Sequence, residues 1–171
     1  MITLVYGGSG SGKSAFAEDL VCKTDFPNRY YLATMRSFDE ETNKRIARHR
    51  SLREGKNFIT IECPTDIVNT IIEKDSIVLL ECMSNLVANE MFSGKETKPF
   101  YQCADKIVED VIALSKKTAS LVIVSNNIFE DGISYDEGTK EYMRALGLIN
   151  KRLGELSDEV YEVVVGIGIK I

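Results

Sequence analysis

Residues Gly7 to Ser14 (GGSGSGKS) combine four glycines with a lysine and a serine, between an apolar run (ITLVY) and a helix-like run (AFAEDL). The spacing G-x-x-x-x-G-K-S is that of a loop that cradles phosphates, and the position after a strand and before a helix is the context it requires. Glycines let the chain curl until successive backbone N–H groups face inward, where side chains would block a phosphate. The loop is therefore Gly7, Gly8, Ser9, Gly10, Ser11, Gly12, Lys13 and Ser14. The helix beginning near Lys13 adds its positive end. Lys13 supplies a full charge for the outer phosphates, and the Ser14 hydroxyl can ligate Mg²⁺. The pattern predicts binding of a nucleoside triphosphate with Mg²⁺ and leaves the reaction open.

Two further groups carry chemistry. In SIVLLEC (76–82) an apolar run leads to Glu81, which emerges at the carboxyl edge of the sheet, where ligands of open α/β sheets bind. Its run resembles the second phosphate-site strand of phosphate-loop proteins. Glu81 could hold Mg²⁺ or a water, or accept a proton from a substrate hydroxyl. The chain's one histidine lies in DEETNKRIARHRSLREG (39–55). Glu41, Arg45, His49 and Arg53 recur every four residues and so share a helix face. Two readings stand side by side. The stripe is a solvated face with His49 as a passenger. Or flanking cations keep the imidazole neutral and nucleophilic, while arginines clamp phosphates beside it.

These residues need a frame to hold them. Strand-like runs occur at 2–6, 29–34, 58–62, 76–82, 120–125 and 160–171, the last broken by Gly166 and Gly168 as a hairpin or bent edge. Helical spacing falls at 13–22, 39–54, 65–74 and 84–92. It recurs through Cys103, Ile107, Val111 and Leu114, and through Tyr142, Leu146, Ile149, Leu153 and Leu156. Several strands are apolar on consecutive residues, as when both sheet faces are covered. The order predicts an α/β fold, a mostly parallel sheet flanked by helices in one P-loop NTPase-like domain over 1–171, with an antiparallel strand at the end. Segment 92–100 reads as a loop. Tyr30, Tyr31 and Phe38 fit core positions more readily than ligand contacts.

Composition sets the outer bounds. A chain of 171 residues fits one domain, and a net charge of -5 argues against general nucleic-acid binding. Cys22, Cys63, Cys82 and Cys103 form no CxxC pair, so reduced thiols in a cytoplasmic protein are expected rather than a zinc cluster. No secretory signal and no run of membrane-spanning length is visible.

The blocks GGSGSGKSAFAE, YYLATMRSFDEETNKRIARHRSLR, TIECP, IVLLEC and DEVYEVVVGIGIKI resemble the bifunctional adenosylcobinamide kinase / adenosylcobinamide-phosphate guanylyltransferase family, nearly end to end. R-I-x-x-H-R at 45–50 and the terminal G-I-G-I-K are the most specific parts. The resemblance implies an enzyme of cobalamin biosynthesis that phosphorylates the aminopropanol hydroxyl of adenosylcobinamide with ATP or GTP. It then passes GMP from GTP to that phosphate. It implies that His49 carries the GMP covalently and that Thr34, Arg50, Ser51, Leu52, Arg53, Glu62 and Glu81 lie at nucleotide-contacting or acidic positions. A homotrimer with sites between subunits is likewise implied.

The chain departs from the family pattern at four places. Gly10 replaces an arginine in the loop, Phe58 stands where tryptophan is common, and in NNIFEDGISY Asn127 and Tyr135 replace a glutamate and a proline. Asn126 and Gly132 keep the pattern. The altered 126–135 loop bears on the kinase half and its corrinoid contacts more than on guanylyl transfer. Two other functions use the same loop: a small metabolite or nucleoside kinase without a covalent histidine, and a nucleotide-switched binding protein.

Overall fold

The computed structural model describes residues 1–37, 40–94, 96–128 and 135–171, with the backbone alone for Thr42, Arg45, His49 and Leu52. Seven strands form one sheet: β1 (Ile2–Gly7), β2 (Asn28–Ala33), β3 (Phe58–Glu62), β4 (Ser76–Glu81), β5 (Ser120–Asn126), β6 (Glu159–Val164) and β7 (Ile167–Lys170). Their spatial order is β3-β2-β4-β5-β1-β6-β7. All pairs are parallel except β6 with β7, a hairpin. The α/β expectation and the antiparallel C-terminal strand both hold.

The register aligns the chemistry. Ala33 pairs with both Glu62 and Glu81, and Gly7 pairs with Asn126, so these carboxyl ends lie along one edge. The consecutive apolar residues of β4 and β5 alternate between two buried layers. Val78, Leu80, Leu121 and Ile123 pack under α3 (Met83–Phe92), α4 (Phe100–Ser115) and α5 (Glu137–Leu156). Ile77, Leu79, Val122 and Val124 pack with Ala17 and Val21 of α1 (Lys13–Cys22) on the other face. Burial on both faces is why these strands carry no polar alternation. α2 (Glu40–Leu52) crosses above the ends of β2 and β3.

The helix expected at 65–74 does not form. Only Ile67–Asn69 make one 3₁₀ turn. Asp66 enters it with a positive φ of 52° and Thr70 leaves extended, so the turn stops after three residues, and Ile71 beyond it is 92% exposed. Three β-branched residues in a row, Thr70, Ile71 and Ile72, also weaken helix propagation. The loop at 92–100 joins α3 to α4, with Lys98 tied back to Met91 and Glu90. Phe38, Gly132 and the rest of 129–134 lie outside the described residues. The four cysteines are free thiols, and no described helix is long and apolar enough to cross a membrane.

One ionic hub pins the 3₁₀ turn to α3 and α4. Lys106 Nζ reaches Asp66 (2.9 Å), Glu90 (2.7 Å) and Asp110 (2.9 Å), and Glu90 is only 2% exposed. The ammonium occupies the centre of this carboxylate trio, which is why it reads as structure rather than a metal centre. Lys106→Met leaves buried Glu90 with Lys98 at 3.3 Å as its one cation among the described residues and the Asp66 N–H at 2.8 Å. It should cost about 2–3 kcal/mol in urea unfolding, under the range for a fully buried pair because Lys106 is a third exposed. A change within about 0.5 kcal/mol would mean that solvent already screens the hub.

Candidate active site

The phosphate loop is shaped by close packing from behind. Gly12, with φ +88°, precedes α1, and a Cβ there would lie 3.0 Å from Gly166 Cα. A Cβ on Gly7 would meet the Val163 carbonyl at 2.6 Å. The hairpin turn Val165–Gly166 thus rests on the loop, and the Gly166 N–H donates to the Ser11 carbonyl at 2.7 Å. Asn127 N–H donates to the Gly7 carbonyl at 3.0 Å, closing the other flank. Lys13 is 8% exposed and folds over the loop, its ammonium donating to the Gly8 carbonyl at 2.9 Å. Burial holds its pKa below the usual lysine range.

Glu81 completes this end of the site. The Ser14 hydroxyl donates to Glu81 Oε1 at 2.5 Å, while Oε2 is buried without a partner. Burial pushes the carboxyl pKa up to about 7, with the Ser14 hydrogen bond opposing it. A hydroxyl and a carboxylate side by side, one oxygen orphaned, form a hard oxygen pair of the kind a dication takes. Thr34 holds that carboxylate in place. It is fully buried, its N–H donates to the Glu81 carbonyl (3.0 Å), and its hydroxyl accepts from the Cys82 N–H (2.8 Å). Asn89 in turn donates to the Thr34 carbonyl at 2.7 Å. Thr34 therefore reaches the site through Glu81 in this structure.

A cleft opens beside Glu81, between the ends of β2, β3 and β4 and the underside of α2. Ile46, Arg50, Arg53, Glu62, Glu81 and Asn85 are among its walls. Arg50 pairs with Glu62 at 2.7 Å where both are largely exposed. Ser51 is exposed, and its hydroxyl turns back to the Arg48 carbonyl. Arg53 breaks the expected stripe. It sits one residue past α2, 7% exposed, with its Cζ 3.4 Å from the centroid of the Tyr31 ring. One guanidinium nitrogen, Nη1, is buried without a partner. Arg48 and Glu41 stay exposed. The stripe is thus neither wholly solvated nor wholly in the site.

The side chains of His49 and Leu52 lie outside the described residues. The His49 backbone is helical, three residues after Ile46, which lines the cleft together with Arg50 one turn further on. That spacing sets its backbone on the cleft side of α2. Residue type alone marks Tyr31 only as core. Its role as the platform under Arg53 is readable from period two, since it shares a strand face with Ala33 at the cleft. Tyr30 packs into the opposite layer.

Comparison with known proteins agrees with this geometry. Residues 3–171 match the family described as cobinamide kinase / cobinamide phosphate guanyltransferase. The bifunctional adenosylcobalamin biosynthesis protein CobU of Salmonella typhimurium LT2 is 32% identical, covering 100% of this chain and 99% of its own. Its namesake in Escherichia coli K12 is 31% identical with the same coverage. Among solved structures an ATPase domain superposes with TM-score 0.51 at 13% identity, over 94% of this chain and 68% of that one, a likeness of fold alone. With a phosphate loop, a carboxylate beside its serine and a family match from end to end, this chain belongs to the cobinamide kinase / cobinamide phosphate guanyltransferase family of transferases.

Proposed function

We propose that this enzyme phosphorylates adenosylcobinamide and then converts the product to adenosylcobinamide-GDP through a guanylyl group carried on His49. The carrying observation is that one cleft joins the phosphate loop's acidic partner, Glu81, to the helix that bears His49. In the first reaction the substrate hydroxyl oxygen attacks the γ-phosphorus of ATP or GTP. The bond to the β–γ bridging oxygen breaks, the nucleoside diphosphate leaves, and the hydroxyl proton passes to a base. In the second, an imidazole nitrogen attacks the α-phosphorus of GTP and pyrophosphate leaves. A phosphate oxygen of adenosylcobinamide phosphate then attacks that phosphorus, the P–N bond breaks, and neutral His49 is regenerated. Covalent relay splits one displacement into two easier ones.

The chain's own groups do the positioning. Loop N–H groups and Lys13 hold the β- and γ-phosphates. Arg53, desolvated on Tyr31, offers its open nitrogen to the phosphoryl group nearest α2. Ser14 and Glu81 would hold Mg²⁺, which when bound neutralises charge building on the phosphate oxygens. Glu62 and Arg50 form the outer rim. Exposed Ile167, Ile169 and Ile171 at the sheet edge support self-association, with the homotrimer as the state that sedimentation would read.

The test needs only the wild-type protein. Incubation with α-labelled GTP and Mg²⁺ should give an acid-labile, hydroxylamine-sensitive adduct that peptide mapping places on His49. Adenosylcobinamide added with GTP should gain first the mass of a phosphoryl group and then that of GMP. Phosphorylation without any protein-bound label would reduce the chain to a plain kinase.

A further inference from the structure

One cleft borders Glu81, which Ser14 of the phosphate loop contacts, and another is walled by the loop itself. The strand order places β4, with Glu81, on one side of β1 and the β6–β7 hairpin on the other. Ser14 and Glu81 therefore mark where the terminal phosphates and their cation belong when the γ-phosphorus reacts. A triphosphate laid in that direction sends its nucleoside away from Glu81, toward the hairpin. When the α-phosphorus must instead face α2, the nucleoside has to lie on the Arg50–Glu62 side. One pose cannot present both phosphorus atoms to their attackers.

A cleft is present where the first pose requires it. Its walls are Ser9 and Gly10 of the loop, Ile128, and Glu162, Val164 and Val165 of the hairpin. The hairpin tip is fixed to the loop by the Gly166-to-Ser11 hydrogen bond, so wall and cradle form one unit. Val164 and Val165 are 45% and 83% exposed beside an otherwise polar loop, an apolar shelf for a ring face. Among the described residues no ion pair engages Glu162. Its carboxylate accepts from the exocyclic amino group of either purine. Gly10 leaves the floor open, with no atom within 4 Å of where its Cβ would stand.

Resting on the functional reading above, we propose that this hairpin-side cleft is a second purine-nucleoside subsite, occupied by the phosphoryl donor in the kinase step. GMP transfer uses the cleft under α2. The two reactions then differ in the direction in which one triphosphate lies across one loop.

Photo-crosslinking of the wild-type protein with 8-azido-ATP and Mg²⁺ should label residues 157–171. Label confined to 29–62 would overturn the subsite. Val164→Trp, on an exposed wall, should raise the KM for ATP in phosphorylation about tenfold with kcat little changed, the mark of lost uniform binding. GMP labelling of the protein should stay within about twofold of wild type in the same variant, a readout that also certifies its fold. Parallel loss of both activities, or loss of neither, would refute separate subsites. If adenosylcobinamide is not turned over but the hairpin is still labelled, the functional reading falls and the cleft stands.

Discussion

Glu81→Gln should lose about a thousandfold in both half-reactions, roughly 4 kcal/mol of transition-state stabilisation. The amide keeps the shape of the side chain and can still accept from Ser14, so the loop's architecture is preserved. What it removes is the anionic oxygen pair facing the phosphates, one member of which has no protein partner. A neutral amide is a far weaker ligand for a hard dication than a carboxylate. Because both reactions draw on the same triphosphate cradle, both fall, whereas a residue serving one step would separate them.

The same variant carries a stability signature whose sign is fixed by the raised pKa. The folded carboxyl titrates near 7 against 4.5 for the free group, so between these values the folded state binds more protons than the unfolded one. Nucleotide-free protein should therefore lose stability as pH rises through that window, by about 3 kcal/mol from this group. Asp66, Asp136, Glu137 and Glu159 are shifted down by their partners. Their contributions are in full above pH 5 and are lost only on acidification, so they do not mask the slope. Urea unfolding at pH 5 and pH 8 should show the loss in the parent and little of it in Glu81→Gln. Equal slopes in the two proteins would mean that water reaches the carboxylate and that its burial is not what tunes it.

The parts of this site visible in the sequence are local ones. A loop of eight residues, a strand ending in Glu81 and an apolar helix spacing each declare themselves within a few turns of chain. The fold class follows because buried parallel strands lose their polar alternation. The hidden parts depend on non-local pairing or on where an element stops. The helical spacing that puts Arg53 on a stripe with His49 assumes that α2 runs on. It ends at Leu52, and the following turn swings Arg53 onto Tyr31. The false helix at 65–74 fails at Asp66, whose positive φ answers to Glu90 accepting from its N–H, a contact with another element. The hairpin tip seated on the loop joins the two ends of the chain, which no window of sequence brings together. His49 is the reverse case: its candidacy comes from residue type and family resemblance, and the structure adds only the backbone that carries it.

Arg53→Met should separate function from stability. In the nucleotide-free protein the guanidinium is buried with an unpartnered nitrogen, its charge offset by the Tyr31 ring and the nearby carboxylates. Exchanging such a cation for an apolar side chain of similar length is often neutral or stabilising by about 1 kcal/mol or more. The lost stacking, worth roughly 0.5–2 kcal/mol, works against that gain. The variant should therefore unfold within about 1 kcal/mol of the parent. GMP transfer should nonetheless fall about a hundredfold, since a charge-assisted phosphate contact of about 2–3 kcal/mol is gone. Arg53→Lys keeps the charge but not the planar fork, and should recover only part of the rate. Tyr31→Phe preserves the platform and should leave transfer near normal, while Tyr31→Leu removes the ring and should cost about tenfold through a misplaced guanidinium. The contrary result is equally definite. If Arg53→Met loses several kcal/mol of stability while its folded fraction transfers GMP at the parental rate, Arg53 is a strut for β2 and the clamp on phosphate belongs to another residue.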